Sequence, residues 1–425
     1  MSIIPGFKSI PLTLAQLSLS AVLKCGQSFR WSIFTSSDNT QESHLNAEYR
    51  LCLKDRVLCL RQSPDTLFYR SVFPDPQPSS KDLQIQREAE TLQWLNDYFQ
   101  LHIDLVTLYK QWAAKDKVFA QFQSRFEGIR ILRQDPWENL ISFICSSNNN
   151  ITRITKMVQN LCVHYSQPLL SLPHPFIPTE TQSYHPFPPP SALAGSGVGL
   201  HLRTLGFGYR ADYIHRTAKM LIDTHGSTTS DSSFGLQEAP EVWLEKLRKK
   251  STEEAREELL KFIGVGRKVA DCILLMSLDK VHIFREYCYK IALKHYGLKS
   301  SGKGKATMTP KLYEEVHSKF FTIWGEYAGW AHTVLFTADL KAFSDYGLTA
   351  SPSPVKAGKG RKGVPKPTPI SETPSLKRKH SADVDDSDSA DELPTVSSPT
   401  ISRLCEETKD NLTLIERVKR KRSAY

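Results

Sequence analysis

Lys268 lies in a local sequence that could support two kinds of chemistry. It follows a turn of Gly264, Val265 and Gly266, between two segments with the apolar spacing of helices. In such a turn the backbone N–H groups point outward at a helix N-terminus, which creates a site for an anion such as a phosphate. The positive end of the helix and the neighbouring Arg267 favour the uncharged amine that a nucleophile needs. The spacing alone is equally consistent with a phosphate contact or a solvated lysine.

Two helices are expected to hold this turn. Ser251 and Glu254 have the spacing of a capping box, which predicts a first helix running through Phe262. The two glycines then end that helix, because they can adopt a positive φ at no steric cost. A second helix is predicted from Arg267 through Leu278. This arrangement is typical of the helix-hairpin-helix DNA-binding motif, although Gly-x-Gly by itself also suits an ordinary helix–loop–helix.

The first 80 residues have the pattern of β-structure. The segment Tyr49–Gln62 alternates apolar and polar residues on both sides of a Lys-Asp-Arg turn, which predicts a hairpin. Aromatic content indicates two further strands, in Ser28–Phe34 and Leu67–Phe73. From about residue 86 to 342 the apolar spacing is mostly helical. Proline-rich residues 167–193 predict a long loop, and residues 225–237 predict a linker.

Composition defines a third region. We predict a β-rich domain with a helical end at 1–120, a helical domain at 121–345, and a disordered tail at 346–425 rich in Pro, Ser and Lys. Two basic clusters in the tail, at 377–379 and 419–422, predict nuclear import and a nuclear location, although a solvated charge run has the same composition. A short helix is predicted at 412–418.

Charge and cysteine content restrict the class of protein. The 425 residues include 55 Lys and Arg against 45 Asp and Glu, which favours a polyanionic partner. The eight Cys form no Cys-x-x-Cys pair, which argues against a zinc ribbon, an iron–sulfur cluster or a disulfide scaffold. No apolar run is long enough to predict a membrane span, and the N-terminus lacks the pattern of a secretory signal.

Five segments, in this order, resemble eukaryotic, fungal-type 8-oxoguanine DNA glycosylase/AP lyases of the helix-hairpin-helix superfamily. The segments are Lys24–Trp31, Ser142–Thr155, Leu205–Tyr213, Phe262–Cys272 and Trp324–Leu340. The resemblance covers roughly residues 10–342. It implies an α+β fold, in which an N-terminal twisted antiparallel sheet packs on a mostly helical, two-lobed body. It also implies a monomer that binds double-stranded DNA containing an oxidised purine, and it requires no cofactor or metal.

The same resemblance implies roles for individual residues around a base flipped out of the duplex. Lys268 corresponds to the catalytic lysine, which forms a Schiff base at C1′ and nicks the strand by β-elimination. Asn148 corresponds to the residue that fills the vacated space. Arg153 and Arg210 correspond to the pair that binds the orphaned cytosine, and Tyr209 to the aromatic wedge. Without the family, each of these four residues would be read as a turn or surface feature.

Four residues correspond to the pocket for the extruded base. Cys272 and Phe336 match the two faces that enclose a flat purine, although both would otherwise be read as ordinary core residues. Gly26 matches the glycine whose carbonyl detects the N7–H of 8-oxoguanine. His332 occupies a position where many members have Gln, which leaves open a different lesion specificity on the same scaffold.

One segment departs from the family pattern. Arg285 stands where the family has a catalytic Asp, the connection is about two residues shorter, and Tyr287 replaces a phosphate-binding His. An Arg cannot act as a general base, so the adjacent Glu286 is the candidate substitute. The departure could reflect an incorrect splice junction or a real loss. It leaves open a damaged-DNA-binding protein, or an AP lyase with impaired base excision.

Overall fold

A computed structural model describes residues 4–36, 46–76, 80–226, 237–284, 288–297 and 310–348. The chain divides into two compact units, Met1–Pro352 and Ser353–Tyr425. The predicted tail beyond residue 348 with its two basic clusters, the 412–418 helix and most of the 225–237 linker lie outside the described residues. The predicted boundary between domains at residue 120 stays a prediction.

Five antiparallel strands form one sheet in the order β1–β5–β4–β3–β2. The strands are β1 Lys8–Pro11, β2 Ser32–Thr35, β3 Ala47–Cys52, β4 Val57–Gln62 and β5 Thr66–Val72. Tyr49 lies opposite Leu60 and Leu51 opposite Leu58, so these four apolar side chains share one face. That face packs against the helix that follows the sheet, and the predicted 49–62 hairpin is confirmed.

Helices account for most of the chain after the sheet, and the predicted α+β class is confirmed. The helices are α1 Leu19–Val22, α2 Lys81–Tyr98, α3 Leu105–Lys115, α4 Lys117–Phe122, α5 Pro136–Cys145, α6 Ile151–Tyr165, α7 Pro190–Ala194, α8 Val198–Thr204, α9 Arg210–His225, α10 Ala239–Lys246, α11 Thr252–Leu260, α12 Arg267–Ser277, α13 Cys288–His295, α14 Pro310–Trp324 and α15 Ala328–Ala338.

Two helices form the centre of the helical body. Every residue of α12 from Val269 to Ser277 is buried, and so is every residue of α15 from Ala328 to Thr337. Such helices are mostly apolar, and buried polar residues in them, such as Asp271 and Thr333, are hydrogen-bonded. α5 packs on α12, where the Asn139 side-chain amide donates to the Ser277 hydroxyl at 2.6 Å. Within the described ranges, no helix has the length and apolarity of a bilayer-spanning segment.

The prediction of a long loop at 167–193 is wrong. The segment contains a small antiparallel hairpin, β6 Leu170–Pro173 with β7 Thr181–Tyr184, and it ends in α7. Leu170 and Tyr184 belong to an apolar cluster with Cys52, Val57 and Cys59 of the large sheet. Prolines suggested an irregular segment, but packing against the sheet gives these short strands a buried face that a single-sequence pattern does not reveal.

Candidate active site

The helix-hairpin-helix is present between α11 and α12. Ser251 and Glu254 form the predicted capping box, in which each side chain bonds the other residue's backbone N–H. Gly264 adopts φ +82°, and a Cβ atom there would lie 2.5 Å from Cδ2 of Tyr213 on α9. Gly266 is the N-cap of α12, and its added Cβ would meet no heavy atom within 4 Å. The turn is thus closed against α9 at Gly264 and open at Gly266.

Val265 anchors this turn by packing its side chain into the helical core. Its side chain is buried in the helical core, so only its backbone is available to a ligand. The first turn of α12 leaves N–H groups without intrahelical acceptors, as every helix N-terminus does. An anion bound at Gly266 would therefore interact with the positive end of α12.

Lys268 lies in the first turn of α12 and lines a cavity of about 870 Å³. Its Nζ donates a hydrogen bond to the Ser146 carbonyl at 3.3 Å. The expected influence of Arg267 is not what the structure shows. The Arg267 guanidinium stacks 3.7 Å from the Tyr313 ring centre and bonds Glu314 at 3.1 Å. Adjacent helical residues do not face each other, and Arg267 contacts α14 instead of the cavity.

Five of the predicted site residues meet in this cavity. Gly26, Asn148, Lys268, Cys272 and Phe336 all line it. Cys272 is one helical turn beyond Lys268, so both side chains lie on the same face of α12. The cavity is large enough for a nucleotide, and its walls bring an amine together with apolar and aromatic surface.

Gly26 is held tightly at the cavity wall. Its φ of +76° lies in the left-handed region, which favours glycine. A Cβ there would lie 3.0 Å from Cδ1 of Ile151, another residue of the cavity wall. A side chain at position 26 would therefore strain the backbone and reduce the space available to a ligand.

His332 is not among the described residues that line the cavity. Its ring is fully buried in α15 and packs edge-to-face on Phe284, with 5.8 Å between ring centres. Phe336 lies one turn later on α15 and does reach the cavity. The four-residue spacing puts both side chains on one face of α15, and the predicted contact of His332 with the base stays a prediction.

The loop between α5 and α6 carries Asn148 and is fastened from α9. Asn148 adopts φ +47°, which is uncommon for a residue with a side chain. The Tyr209 hydroxyl donates to the Ser147 carbonyl at 3.0 Å. Arg210 Nε also donates to the Ser147 carbonyl at 3.0 Å, and Arg210 Nη2 donates to the Asn148 carbonyl at 2.9 Å.

These contacts occupy donors of Arg210 that its predicted contact with the orphaned cytosine would use. Its side chain is only 3% exposed, and the Nε and Nη2 donors are already occupied by loop carbonyls. Arg153 lies on the exposed side of α6 and donates from Nη2 to the Gly206 carbonyl at 3.3 Å. Tyr209 is 48% exposed beneath the Arg210 guanidinium, 4.6 Å away. In this structure the Arg210 guanidinium holds the Asn148 loop and Arg153 is exposed, and the predicted contacts of both with the orphaned cytosine stay predictions.

The structure adds residues that the sequence did not indicate. Phe29, Phe143, Tyr289 and Lys290 also line the cavity. The Tyr289 side chain is 7% exposed, and its hydroxyl is buried with no hydrogen-bond partner among the described residues. No local pattern marks these positions, since their proximity to Lys268 arises from tertiary packing. Arg285, Glu286 and Tyr287 lie outside the described residues, so the substitution of Glu286 for the missing Asp stays a prediction.

A buried carboxylate fixes α12 in place. Asp271 is 1% exposed, accepts from Arg256 Nε on α11 at 3.2 Å, and accepts from the Tyr313 hydroxyl on α14 at 3.1 Å. Burial raises the pKa of Asp271 to about 6, and Arg256 partly offsets the effect. Asp271 is three residues from Lys268, so the network sets the position from which the amine enters the cavity. Within the described ranges, no group of three or more His, Cys, Asp or Glu is placed to bind a metal ion.

Comparisons with known proteins indicate the family to which this chain belongs. Residues 9–140 match the family described as 8-oxoguanine DNA glycosylase, N-terminal domain. The N-glycosylase/DNA lyase of Saccharomyces cerevisiae is 32% identical over 353 residues, covering 79% of this chain and 86% of the yeast protein. The N-glycosylase/DNA lyase OGG1 of Arabidopsis thaliana is 33% identical over 345 residues, covering 80% of this chain and 81% of the plant protein.

A solved structure shares the fold. The 8-oxoguanine glycosylase/lyase of Clostridium acetobutylicum, in complex with double-stranded DNA containing cytosine opposite 8-oxoguanine, is 25% identical with a TM-score of 0.57. The match covers 76% of this chain and 91% of the bacterial chain. With two relatives above 30% identity, each matched over more than four fifths of its length, the chain belongs to the N-glycosylase/DNA lyase family of 8-oxoguanine DNA glycosylases.

Proposed function

We propose that this protein is a bifunctional DNA glycosylase and AP lyase that excises 8-oxoguanine opposite cytosine from duplex DNA in base excision repair. One observation carries the proposal: Lys268 lines a nucleotide-sized cavity directly beside the open Gly266 end of the hairpin. A nucleophile and a phosphate-binding turn are thereby placed within one helical turn of each other. Family membership supports the DNA glycosylase and AP lyase class.

The chemistry follows from an amine at a sugar carbon. Uncharged Lys268 Nζ attacks C1′, and the C1′–N9 bond breaks with its electron pair leaving on the base, which takes up a proton. The attached nitrogen loses one proton, the C1′–O4′ bond breaks, and O4′ takes up a proton as the lysine–C1′ bond becomes a protonated Schiff base. Loss of a C2′ proton then expels the 3′-phosphate by β-elimination and nicks the strand. Glu286 is the carboxylate we propose for proton transfer.

Recognition requires the target nucleotide to leave the helix, because C1′ and the base are not accessible inside a duplex. We propose that Cys272 and Phe336 enclose the purine and that the Gly26 carbonyl accepts its N7–H. Asn148 is proposed to enter the vacated space, with Tyr209 as the wedge and Arg153 as the cation nearest the orphaned cytosine. Arg210 would then act through the loop carbonyls it holds.

The Tyr289 hydroxyl is an additional polar group at the cavity wall. Burial of a hydroxyl without a partner is unfavourable, and a bound nucleotide that reaches Tyr289 would provide the missing hydrogen bond. We propose that Tyr289 helps to hold the flipped nucleotide.

A second candidate function rests on the sequence at position 285. Arg285 has the wrong charge to stabilise a positive transition state, so the chain could bind lesions and nick abasic sites while excising bases slowly.

We also propose nuclear import through the basic clusters at 377–379 and 419–422. A fluorescent fusion of the full chain, compared with a variant whose two clusters are replaced by Ser, tests that location.

A single-turnover assay separates the two functions. The full chain is mixed in excess with a duplex containing 8-oxoguanine opposite cytosine, and with the same duplex containing an abasic site. Base release and strand cleavage are measured separately. We expect both activities, abolished in Lys268→Gln and retained in Lys261→Gln, which removes an exposed lysine of the same hairpin that is paired with Glu258. Cleavage of the abasic duplex alone would favour the second candidate, and full activity of Lys268→Gln would contradict both.

A further inference from the structure

The N-terminal sheet carries a second cavity that shares no lining residue with the Lys268 cavity. It has a volume of about 230 Å³ and lies where β1 and β5 meet α2. Its charged lining consists of Lys8 from β1, Arg70 from β5, and Arg87 and Glu88 from α2. The family comparisons and the proposed chemistry give this basic cavity no role.

Two guanidinium donors in this cavity are left without acceptors. Arg70 Nε and Arg87 Nη1 are both buried, and neither has a hydrogen-bond partner among the described residues. Buried polar atoms in folded proteins are nearly always hydrogen-bonded, and the cost of leaving a donor unpaired is higher when it belongs to a charged group. Two such donors lining one cavity indicate a missing acceptor.

An aromatic ring lies beside each of the two guanidinium groups. The Arg70 guanidinium carbon lies 5.1 Å from the Phe7 ring centre, and that of Arg87 lies 4.6 Å from the Phe73 ring centre. Stacking on a ring covers the face of a guanidinium but satisfies none of its N–H groups, which lie in its plane. The edges of the two groups therefore remain able to donate.

The charge balance of the cavity is positive. Glu88 is the carboxylate of the lining, and it is ion-paired with Lys8. Neither Arg70 nor Arg87 forms an ion pair with any described residue. The lining thus carries two positive charges that no described carboxylate neutralises. Arginine donors arranged around a small volume suit a tetrahedral oxyanion, which accepts several charge-assisted hydrogen bonds at once.

We propose that this cavity is a separate binding site for a phosphate group, held by Arg70 and Arg87. Pockets for whole small molecules usually span roughly 300–1,000 Å³, so a cavity of about 230 Å³ fits a phosphate better than a nucleotide. The phosphate has two potential sources, free inorganic phosphate or a phosphodiester of a DNA strand that passes over the sheet. Both present the same oxygens to the two arginines.

Thermal unfolding of the full chain tests the site. Sodium phosphate is compared with sodium chloride at equal ionic strength and pH, over increasing phosphate concentration. A site stabilises the folded state about tenfold when phosphate reaches about ten times its Kd, whereas exclusion of salt from the surface does not saturate. We expect a saturable rise in Tm in the unmodified protein and in Lys110→Gln/Lys115→Gln, which removes two exposed charges from α3.

The Arg70→Gln/Arg87→Gln variant should lose that rise. Circular dichroism confirms that it is folded, and Arg87→Gln alone provides a milder change if the double variant does not fold. The proposal fails if the unmodified protein shows no phosphate-specific stabilisation, or if the double arginine variant retains all of it.

The source of the phosphate is identified in a second arm with undamaged duplex DNA. If the phosphodiester occupies the site, the slope of log K against log salt becomes shallower by about 1 in the arginine variant relative to the α3 control. An unchanged slope, together with loss of the phosphate-dependent Tm rise, assigns the site to free phosphate.

Discussion

The two glycines of the hairpin should respond in opposite ways to the same added methyl group. Gly264→Ala places a Cβ 2.5, 2.6 and 2.8 Å from three atoms of Tyr213, at a backbone φ of +82°. Gly266→Ala places its Cβ in open space, at φ −94° and ψ −179°, which an alanine adopts without strain. The first change should therefore affect folding, and the second should affect only what approaches the hairpin from outside.

The destabilisation expected for Gly264→Ala has three contributions. A left-handed backbone costs an alanine about 1–2 kcal/mol. Crowding of a packed side chain costs about 1–3 kcal/mol more, since Tyr213 must move and its ring also packs on Tyr209, 5.5 Å away. The lower entropy of the unfolded alanine chain returns about 0.4–1 kcal/mol. Gly264→Ala should lower the free energy of unfolding by about 1–5 kcal/mol, and Gly266→Ala should change it by less than about 0.5 kcal/mol.

Urea unfolding and duplex binding measure the two effects separately. Gly266→Ala should keep the parental urea midpoint but bind undamaged duplex more weakly, because its methyl group occupies the space where a phosphate approaches the helix N-terminus. Equal destabilisation by both variants would refute the packing argument. Unchanged DNA affinity of a folded Gly266→Ala variant would refute the assignment of the hairpin as a phosphate site.

Three further predictions follow from buried polar groups. Arg210→Met removes the donors that hold the Ser147 and Asn148 carbonyls, so it should lower the free energy of unfolding by about 2–3 kcal/mol. Arg153→Met changes an exposed residue and should lower it by less than about 0.5 kcal/mol. Equal urea midpoints of the two variants would contradict the positioning role of Arg210. Burial raises the pKa of Asp271 from its ordinary 3.8 to about 6, so the folded state holds this proton more tightly than the unfolded state. The stability of the parent relative to Asp271→Asn should thus fall by about 1–3 kcal/mol as pH rises from about 4 to about 7, and a constant difference would exclude the shift. Tyr289→Phe removes a hydroxyl without a described partner, so the free energy of unfolding should stay the same or rise by up to about 1 kcal/mol. Single-turnover base release by this variant should slow about tenfold. An unchanged rate would show that Tyr289 does not contribute to the site.

The parts of the fold encoded in short segments were predictable. The capping box of Ser251 and Glu254, the glycine turn and the 49–62 hairpin each depend on residues close in sequence, and the structure contains all of them. The 167–193 segment was not predictable, because its strands exist through packing on Cys52 and Cys59 of the large sheet. A local sequence pattern indicates only local interactions, and the prolines of this segment gave no indication that it packs against the large sheet.

The candidate site shows the same division. Lys268 and Cys272 share a helix, so their common face follows from helical periodicity. Tyr289 comes from a different helix, and nothing in its neighbourhood indicated that it reaches the same cavity. The sequence also did not indicate the direction of two arginine side chains. Arg267 contacts Tyr313 and Glu314, and Arg210 donates to the backbone of the Asn148 loop. Residue type predicted the available chemistry, whereas packing determines which donors remain free to use it.

The central claim is that Lys268 forms the covalent intermediate, and borohydride trapping tests it most directly. The full chain is incubated with duplexes carrying 8-oxoguanine opposite cytosine or an abasic site, reduced with borohydride, and digested for mass spectrometry. Lys290 and Lys341 also line the cavity and are the internal competitors. We predict that the reduced adduct maps to Lys268 and is absent from Lys268→Gln. An adduct on Lys290 or Lys341, or undiminished trapping by Lys268→Gln, would contradict the assignment of the nucleophile.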